Sequence, residues 1–205
     1  MISTIIFDIG NVLIDFDWDG FMSRKFPDAD KKLIAKLDED VWGSGRWDRL
    51  DAGDEPEKVF KSIVDYDPEH ESELRKIFAD VGETLRPRAA APIWLKELKS
   101  RSENYKLLYL SNYSHYVMKA NPEVLDFLPL LDGGVFSCDV KLIKPDPKIY
   151  GAIAEKYNLI PSECVFIDDL EKNINGAKNF GFHGIQFLNL KQAQDDLNKF
   201  LKESK

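Results

Sequence analysis

The stretch TIIFDIGNVLIDFDW, residues 4–18, begins as an apolar run and then places Asp8 directly behind it. Four consecutive residues of high β-propensity are typical of a strand buried in a sheet. Gly10, Asp15 and Asp17 follow within ten residues of the carboxylate. Three kinds of structure would explain this arrangement: a calcium loop, a helix cap or a catalytic nucleophile.

Other short apolar runs recur along the chain with helical patterns between them. The runs are KLLYL at 106–110, VFI at 165–167 and GIQFL at 184–188. The helical patterns cover 88–100, 147–157, 170–180 and 190–202. This alternation of strand and helix favours a parallel sheet covered by helices, so the predicted fold class is α/β.

Residues 18–82 have helical spacing of charged and apolar residues without a convincing strand pattern. We therefore predict an all-helical insert over residues 15–85. The sheet domain is then discontinuous and consists of residues 1–14 and 86–205. The segment RPR at 86–88 suits the return linker.

The composition indicates which partners to expect. A net charge of −8 over 205 residues disfavours nucleic acid, whose phosphates need a basic surface. No apolar stretch approaches the ~18 residues of a membrane span, and no basic leader is present. Cys138 and Cys164 are too far apart for a metal knuckle or a redox motif. We expect a cytoplasmic protein with two buried free thiols, and no membrane, nucleic-acid or protein partner is predicted.

Polar and charged residues follow the predicted strands where each strand ends. Ligands of parallel sheets bind beyond these carboxyl ends. Taken singly, each residue is equally well explained as a helix cap or a solvated charge. Together, four sites of complementary charge in this order favour one shared site. They are Asp8 after the first strand, Ser111 and Asn112 after the second, Lys144 in a proline-containing loop, and Asp168 with Asp169 after the strand at 165–167.

This set of residues suits phosphoryl transfer through a covalent intermediate. Asp8 would attack phosphorus, and a Mg²⁺ ion held by Asp8, a nearby backbone carbonyl and Asp168 would mask the negative charges. Lys144 and the Ser111 hydroxyl would stabilise the phosphoryl oxygens, with Asn112 beside them. Asp169 would bind the metal or orient Lys144. The predicted ligand is a small phosphorylated metabolite.

The sequence resembles the haloacid dehalogenase-like (HAD) superfamily, whose four motifs occur in order across essentially the whole chain. They are IIFDIGNVL at 5–13, LLYLSN at 107–112, LIKPDPKIY at 142–150 and VFIDDLEKNINGAKNFG at 165–181. The chain is most similar to the branch with bacterial α-glucose-1-phosphate phosphatases and the N-terminal phosphatase domain of soluble epoxide hydrolases. The resemblance implies a Rossmann-like core with an inserted helical cap, and a metal contact from the backbone carbonyl of Gly10.

Gly10 is also a departure from that family. Most phosphatases of the superfamily have there a second aspartate, which protonates the leaving group and then activates water; the glucose-1-phosphate phosphatases share the Asp-x-Gly pattern. General acid catalysis contributes ~10² to 10⁴-fold and matters most for poor leaving groups. We therefore expect a preference for activated phosphomonoesters such as sugar 1-phosphates. Asp15 or Asp17 would replace the missing acid, or would simply form a solvated hinge.

Two other enzyme or binding functions stay open at this point. A 2-haloacid dehalogenase also uses an aspartate nucleophile, but its chemistry gives no reason for the acidic pair Asp168 and Asp169. A non-catalytic HAD protein that binds a phosphometabolite would not need to keep the nucleophile. The calcium loop is disfavoured because its twelfth position, which requires glutamate, is Phe26.

Substrate selection is expected from the segment WGSGRWDRLDAGD at 42–54. Trp42 and Trp47 would stack on a sugar or, alternatively, pack within the insert. Arg46 and Arg49 would contact a second anionic group. His115, just after the second motif, would either reach the pocket or lie on a helix surface.

Overall fold

The computed structural model describes residues 1–101 and 105–203. The strands are β1 Thr4–Phe7, β2 Ile14–Phe16, β3 Leu85–Pro87, β4 Lys106–Ser111, β5 Gly133–Phe136, β6 Cys164–Asp168 and β7 His183–Gln186. The α-helices are α1 Trp18–Lys25, α2 Lys31–Asp38, α3 Trp47–Asp51, α4 Pro56–Tyr66, α5 Glu71–Ala79, α6 Ala90–Lys99, α7 His115–Ala120, α8 Ser137–Val140, α9 Pro147–Tyr157, α10 Glu171–Phe180 and α11 Leu190–Glu203.

The main sheet is parallel, with strand order β5-β4-β1-β6-β7. Strand β1 lies at its centre and is buried along its whole length. Phe7 at its end pairs with Tyr109 of β4 and Ile167 of β6. This register brings the carboxyl ends of the three central strands to the same edge of the sheet, where a ligand site is expected.

Helices cover both faces of this sheet. Side chains of β1 alternate between two buried clusters: Ile5 and Phe7 belong to one, and Ile6 to the other. Trp94 of α6 meets the Phe7 ring edge-on at 5.1 Å, and Tyr150 of α9 lies fully buried in the opposite cluster. The predicted α/β fold with a Rossmann-like parallel sheet is confirmed, and the predicted helices match α6, α9, α10 and α11 within two residues.

Residues 17–84, which we call the helical insert, hold α1 to α5 and no strand among the described residues. Strands β2 and β3 flank the insert and pair antiparallel, with Asp15 opposite Arg86. The sequence patterns missed this two-stranded sheet because three residues are too few to show alternation. The division into a core and a cap at residues 15–85 stays a prediction.

Strand β5 was also missed, because its sequence GGVF begins with two glycines, which normally weaken strands. A β-carbon at Gly134 would lie 2.4 Å from the Tyr109 ring, so this position needs glycine for the strand to approach β4.

Cys138 and Cys164 are buried free thiols, as expected. Among the described residues, no helix has the length and apolar character required to cross a membrane.

Candidate active site

The centre of the site is a buried lysine between two carboxylates. Lys144 Nζ lies 2.8 Å from Asp8 Oδ1 and 2.7 Å from Asp168 Oδ2. Lys144 is 2% exposed and Asp168 is fully buried. Asp8, which lies more than 130 positions before the other two residues, thus meets them at the carboxyl ends of β1 and β6, where the strand-end argument placed a shared site.

Asp8 is held in a defined orientation. Its Oδ1 accepts a hydrogen bond from the Ile9 backbone N–H at 2.7 Å, in addition to the Lys144 contact. The hydroxyl of Ser111, which is 1% exposed at the end of β4, also faces the carboxylate and lowers its pKa as a hydrogen-bond donor. Together these contacts fix the plane of the carboxylate.

Lys144 is positioned by its own loop. The Asn112 side chain accepts a hydrogen bond from the Lys144 N–H at 2.8 Å and donates one to the Lys144 carbonyl at 3.1 Å. Two residues later Asp146 caps helix α9, accepting a hydrogen bond from the Lys148 N–H at 2.9 Å. The oxygen and the nitrogen of the Asn112 side chain are therefore both engaged with the backbone of Lys144, so Asn112 positions the lysine. Its predicted contact with substrate stays a prediction.

Two asparagines that the sequence analysis did not single out support the carboxylates. Asn173 Nδ2 donates to both oxygens of Asp168 at 3.0 Å, and Asn11 Nδ2 donates to Asp169 Oδ2 at 3.0 Å. Asn11 has a left-handed backbone with φ of 55°, which asparagine tolerates better than most residues. The position of Asn11 directly after Gly10 was the sequence signal that could have identified it. The spacing of Asn173 from Asp168 does not identify Asn173 without the structure.

The electrostatics of the site indicate a shortage of positive charge. Burial raises the pKa of Asp8 to about 7; Lys144 lowers it and Asp168 raises it further. Burial lowers the pKa of Lys144, but the attraction of Asp168 and Asp8 outweighs this and raises it above its ordinary value. When Asp8, Asp168 and Asp169 are ionised, one ammonium group leaves two of the three negative charges uncompensated.

This arrangement fits a divalent cation. Asp8, Asp168 and Asp169 each offer a carboxylate oxygen, and these oxygens all lie within 4.8 Å of one another. Hard oxygen donors of this kind are the ligands that Mg²⁺ prefers. Gly10, whose carbonyl the family resemblance implied as a further ligand, lines the adjoining cavity.

The adjoining cavity has a volume of about 270 Å³. Its walls combine Asp8, Lys144 and Asp169 with aromatic side chains of the helical insert, Trp42 and Trp47. Lys144 is the sole basic side chain among the described residues that line it. Further lining residues are Asn11, Ile14, Phe16, Asp51, Val81, Thr84, Asn112, Tyr113 and Asn173.

Within the part of the chain that the structure describes, two hydrogen-bond donors of this cavity have no partner. The Nε1 atom of Trp42 and the hydroxyl of Tyr113 are buried without a hydrogen bond. Unpaired buried donors are costly, at about 1–3 kcal/mol each, and a polar ligand would satisfy them.

A sequence profile of the haloacid dehalogenase-like hydrolases matches residues 2–181. The chain belongs to this hydrolase family. A D-ribitol-5-phosphate phosphatase of Bacteroides thetaiotaomicron is 28% identical to this hydrolase over 208 residues, covering 91% of this chain and 92% of the relative. The predicted membership of the haloacid dehalogenase-like superfamily is confirmed, and so is the prediction that the chain is a hydrolase.

Solved structures resemble the hydrolase in fold. A HAD family enzyme of Bacteroides thetaiotaomicron, in complex with magnesium and inorganic phosphate, has a TM-score of 0.67 at 24% identity, covering 91% of this chain and 94% of that one. The L-2-haloacid dehalogenase of Xanthobacter autotrophicus, with chloropropionic acid covalently bound, has a TM-score of 0.65 at 20% identity, covering 94% and 80%. Folds this similar therefore occur both in an enzyme that binds magnesium and phosphate and in a dehalogenase, so the site residues must distinguish the two kinds of enzyme.

The predicted anion-binding arginines lie outside the cavity of the hydrolase. The Arg46 guanidinium stands 3.9 Å from the centre of the Tyr66 ring, a favourable cation–π position, and Arg49 pairs with Asp54 at 2.9 Å. His115 Nε2 lies 2.9 Å from Asp139 Oδ1 on the surface. Arg46 is therefore not among the residues that line the cavity, and of the two predicted locations for His115 the helix surface is the one observed.

Asp15 and Asp17 are held by other contacts than those of the candidate site. Asp15 is held by two guanidinium nitrogens of Arg88, and Asp17 caps helix α1 through the Gly20 N–H at 3.1 Å. Neither residue lines the cavity. The calcium loop is also wrong, because residues 18–25 form helix α1 rather than a loop.

Proposed function

We propose that this protein is a Mg²⁺-dependent phosphomonoesterase that works through an aspartyl-phosphate at Asp8. The observation that carries the proposal is the position of Lys144 between Asp8 and Asp168, with Asp169 beside them at the wall of a cavity. A carboxylate nucleophile, a buried cation and an acidic metal site are the groups that phosphoryl transfer to aspartate needs.

Each residue has a distinct task in this mechanism. Asp8 attacks phosphorus, and its fixed carboxylate plane favours an in-line approach. Lys144 and Ser111 stabilise the negative charge on the phosphoryl oxygens. Asp8, Asp168 and Asp169 would hold Mg²⁺, together with the Gly10 carbonyl. When bound, the ion would neutralise charge on the carboxylates and the phosphate.

The cavity favours a small monophosphate with a neutral body. A volume of about 270 Å³ lies just below the range of roughly 300–1,000 Å³ that is usual for ligand pockets. Lys144 offers one positive charge for one phosphate, and the unpaired donors of Trp42 and Tyr113 suit hydroxyl groups. The resemblance to a ribitol-phosphate phosphatase supports a phosphorylated sugar or polyol. A sugar 1-phosphate is the specific ester that the sequence favours.

Dehalogenation is the competing chemistry for an aspartate nucleophile. Displacement of halide from a 2-haloacid needs no metal, and a carboxylate cluster beside the nucleophile would repel the acid substrate. Asp168 and Asp169 therefore favour the phosphatase. A protein that binds a phosphometabolite without catalysis would not require the 2.8 Å contact between Lys144 Nζ and Asp8 Oδ1.

The test measures phosphate release from α-glucose 1-phosphate, D-ribitol 5-phosphate and p-nitrophenyl phosphate, with Mg²⁺ or with chelator. We expect release that needs Mg²⁺ and that falls at least ~10³-fold in Asp8→Asn, since the covalent route is lost. Asp195→Asn, an exposed residue of α11, is the matched control and should retain full activity. Halide release from 2-chloropropionate without phosphate release would replace the phosphatase by a dehalogenase, and no turnover of any compound would favour a binding protein.

A further inference from the structure

The proposed reaction needs a proton donor that the first motif, residues 5–13, does not supply. The oxygen that leaves phosphorus must be protonated, and the water that hydrolyses the aspartyl-phosphate must lose a proton. Gly10 has no side chain to do either, and Asp15 and Asp17 are engaged by arginines and a helix N-terminus outside the cavity. Another group in the cavity must carry the proton.

One carboxyl group of the cavity is not part of the proposed metal cluster. Among the described residues, the acidic side chains of the cavity wall are Asp8, Asp51 and Asp169. Asp8 and Asp169 belong to the cluster of oxygens within 4.8 Å, whereas Asp51 does not. Asp51 ends helix α3 of the helical insert, so it enters the cavity from the insert and not from the sheet edge that carries the nucleophile.

The end of helix α3 is fastened to the sheet domain. Ser137 Oγ, at the start of α8, donates a hydrogen bond of 2.6 Å to the carbonyl of Asp51. Two residues on, Gly53 turns with φ of 89°, and a β-carbon there would lie 2.8 Å from the Cys138 carbonyl. The glycine allows this close approach, and the contact fixes Asp51 relative to Asp8.

The surroundings of Asp51 favour its protonated form. Burial of the carboxyl group raises its pKa to about 8; the nearby charges of Asp48 and Asp8 raise it and that of Lys144 lowers it. Tyr113 of the cavity wall also faces Asp51 and is itself held neutral by burial. A carboxyl group kept protonated near neutral pH can act as a general acid.

We propose that Asp51 of the helical insert is the general acid and base that replaces the side chain missing at Gly10. The inference rests on the proposed phosphatase function and deepens it. The acid of the reaction is then contributed by the insert, so the site is complete only when α3 is seated against Ser137 and Cys138.

The proton returns to Asp51 in each turnover. In the first step an Asp8 oxygen forms a bond to phosphorus, the bond from phosphorus to the ester oxygen breaks, and that oxygen takes the Asp51 proton to leave as an alcohol. In the second step water attacks phosphorus and gives its proton to the Asp51 carboxylate. The bond from phosphorus to Asp8 then breaks, releasing inorganic phosphate and restoring both side chains.

This assignment widens the expected substrate class. A protonated Asp51 assists a poor leaving group, so primary alkyl phosphates such as polyol phosphates are substrates alongside sugar 1-phosphates. Without it, only activated esters would react at a useful rate.

The experiment compares two leaving groups in wild type and Asp51→Asn by rapid mixing. With p-nitrophenyl phosphate, whose leaving group needs no proton, Asp51→Asn should release one equivalent of p-nitrophenolate in a burst within roughly threefold of the wild-type rate. The following turnover should be slow, because water is no longer activated. With D-ribitol 5-phosphate the first-step rate should fall roughly 10²–10³-fold. Asp51→Glu should restore part of the loss.

Asp54→Asn is the matched control, because Asp54 lies three residues away in an exposed pair with Arg49. It should behave as wild type on both esters, and melting curves of all variants should agree. An equal loss of the first step on both esters, or no loss on either, would overturn the assignment of Asp51. Failure of the phosphatase proposal itself would look different, since wild type would then release neither p-nitrophenolate nor inorganic phosphate and Asp8→Asn would change nothing.

Discussion

Asn112 and Lys144 are joined by two hydrogen bonds, from the Lys144 N–H to Asn112 Oδ1 at 2.8 Å and from Asn112 Nδ2 to the Lys144 carbonyl at 3.1 Å. One side chain thereby satisfies both backbone groups of the residue that carries the buried ammonium. The pair connects the end of β4 with the loop before α9, and through Lys144 it sets the position of Asp8.

Replacing Asn112 by alanine should lower activity as well as stability. The change leaves the Lys144 N–H and carbonyl unpaired, at a cost of about 1–3 kcal/mol, and lets the ammonium shift. A misplacement of about 1 Å costs roughly 10²-fold in rate. The measurement is kcat with p-nitrophenyl phosphate beside a urea unfolding curve. Asn198→Ala, which removes a 2.9 Å hydrogen bond from Arg101, is the control and should keep its kcat. Equal kcat values for both variants would contradict the positioning role.

Magnesium should stabilise the folded protein through the carboxylate cluster. At a concentration about 100-fold above its Kd, a ligand that binds only the native state adds about 2.7 kcal/mol, which corresponds to about 5–10 °C in Tm for a chain of this size. The shift should shrink markedly in Asp169→Asn, because a charged carboxylate ligand is replaced by a neutral amide. Asp195→Asn should keep the full shift. An unchanged shift in Asp169→Asn would remove that residue from the metal site.

Trp42→Phe should raise the KM for a hydroxylated substrate by about 2–10-fold. The variant keeps an aromatic ring among Phe16, Trp18 and Trp47 but loses the Nε1 donor, and one hydrogen bond is worth about 0.5–1.5 kcal/mol. Trp18→Phe is a close control, because it also removes a buried unpaired N–H but outside the cavity wall. We expect KM to change only in the Trp42 variant; a rise of equal size in both would show a packing effect instead.

Asp67→Asn should destabilise the helical insert in a pH-dependent manner. Burial raises the pKa of Asp67, but hydrogen bonds with Lys36, Asp40 and His70 outweigh it and hold the pKa below its ordinary value. A depressed carboxyl pKa stabilises the fold above the unfolded value near 3.8, and this contribution is lost as pH falls further. Because Lys36 is 41% exposed, the expected cost at pH 7 is only about 1–2 kcal/mol.

Urea unfolding of the Asp67 variant and wild type at pH 7 and pH 3 measures this effect. The difference in free energy of unfolding should narrow at pH 3. Asp65→Asn removes an exposed ion pair with Lys61 and should cost less than about 0.5 kcal/mol at either pH. A cost for Asp67→Asn that stays the same at both pH values would mean that its charge contributes nothing.

The central part of the site could be predicted from sequence because its determinants are local. An apolar run that ends in Asp8, and another that ends in Asp168, identify strand ends, and a parallel sheet brings such ends together whatever the connections between them. Lys144 was predictable from another local signal, because its loop directly precedes a helix that begins with a proline.

The supporting contacts depended on packing between distant segments. Nothing in the spacing of Arg46 distinguishes a phosphate contact from the Tyr66 ring that it covers, and nothing near Asp15 indicates Arg88, which lies 73 residues away. Likewise, a single acidic residue such as Asp51 in an insert rich in acidic residues has no pattern of its own.

The sequence by itself determined the α/β class, the parallel sheet and the residues at its strand ends, because hydrophobic periodicity and strand polarity are properties of short segments. Only the tertiary structure decided that Asn112 holds Lys144, that Arg46 lies away from the cavity and that Asp51 enters it. The place of Asp51 follows from how the helical insert seats on the sheet, through Ser137 and the close approach at Gly53. The Asn112–Lys144 pair forms within the sheet domain and the Arg46–Tyr66 contact within the insert, but all three depend on packing between separate segments, which leaves no local pattern.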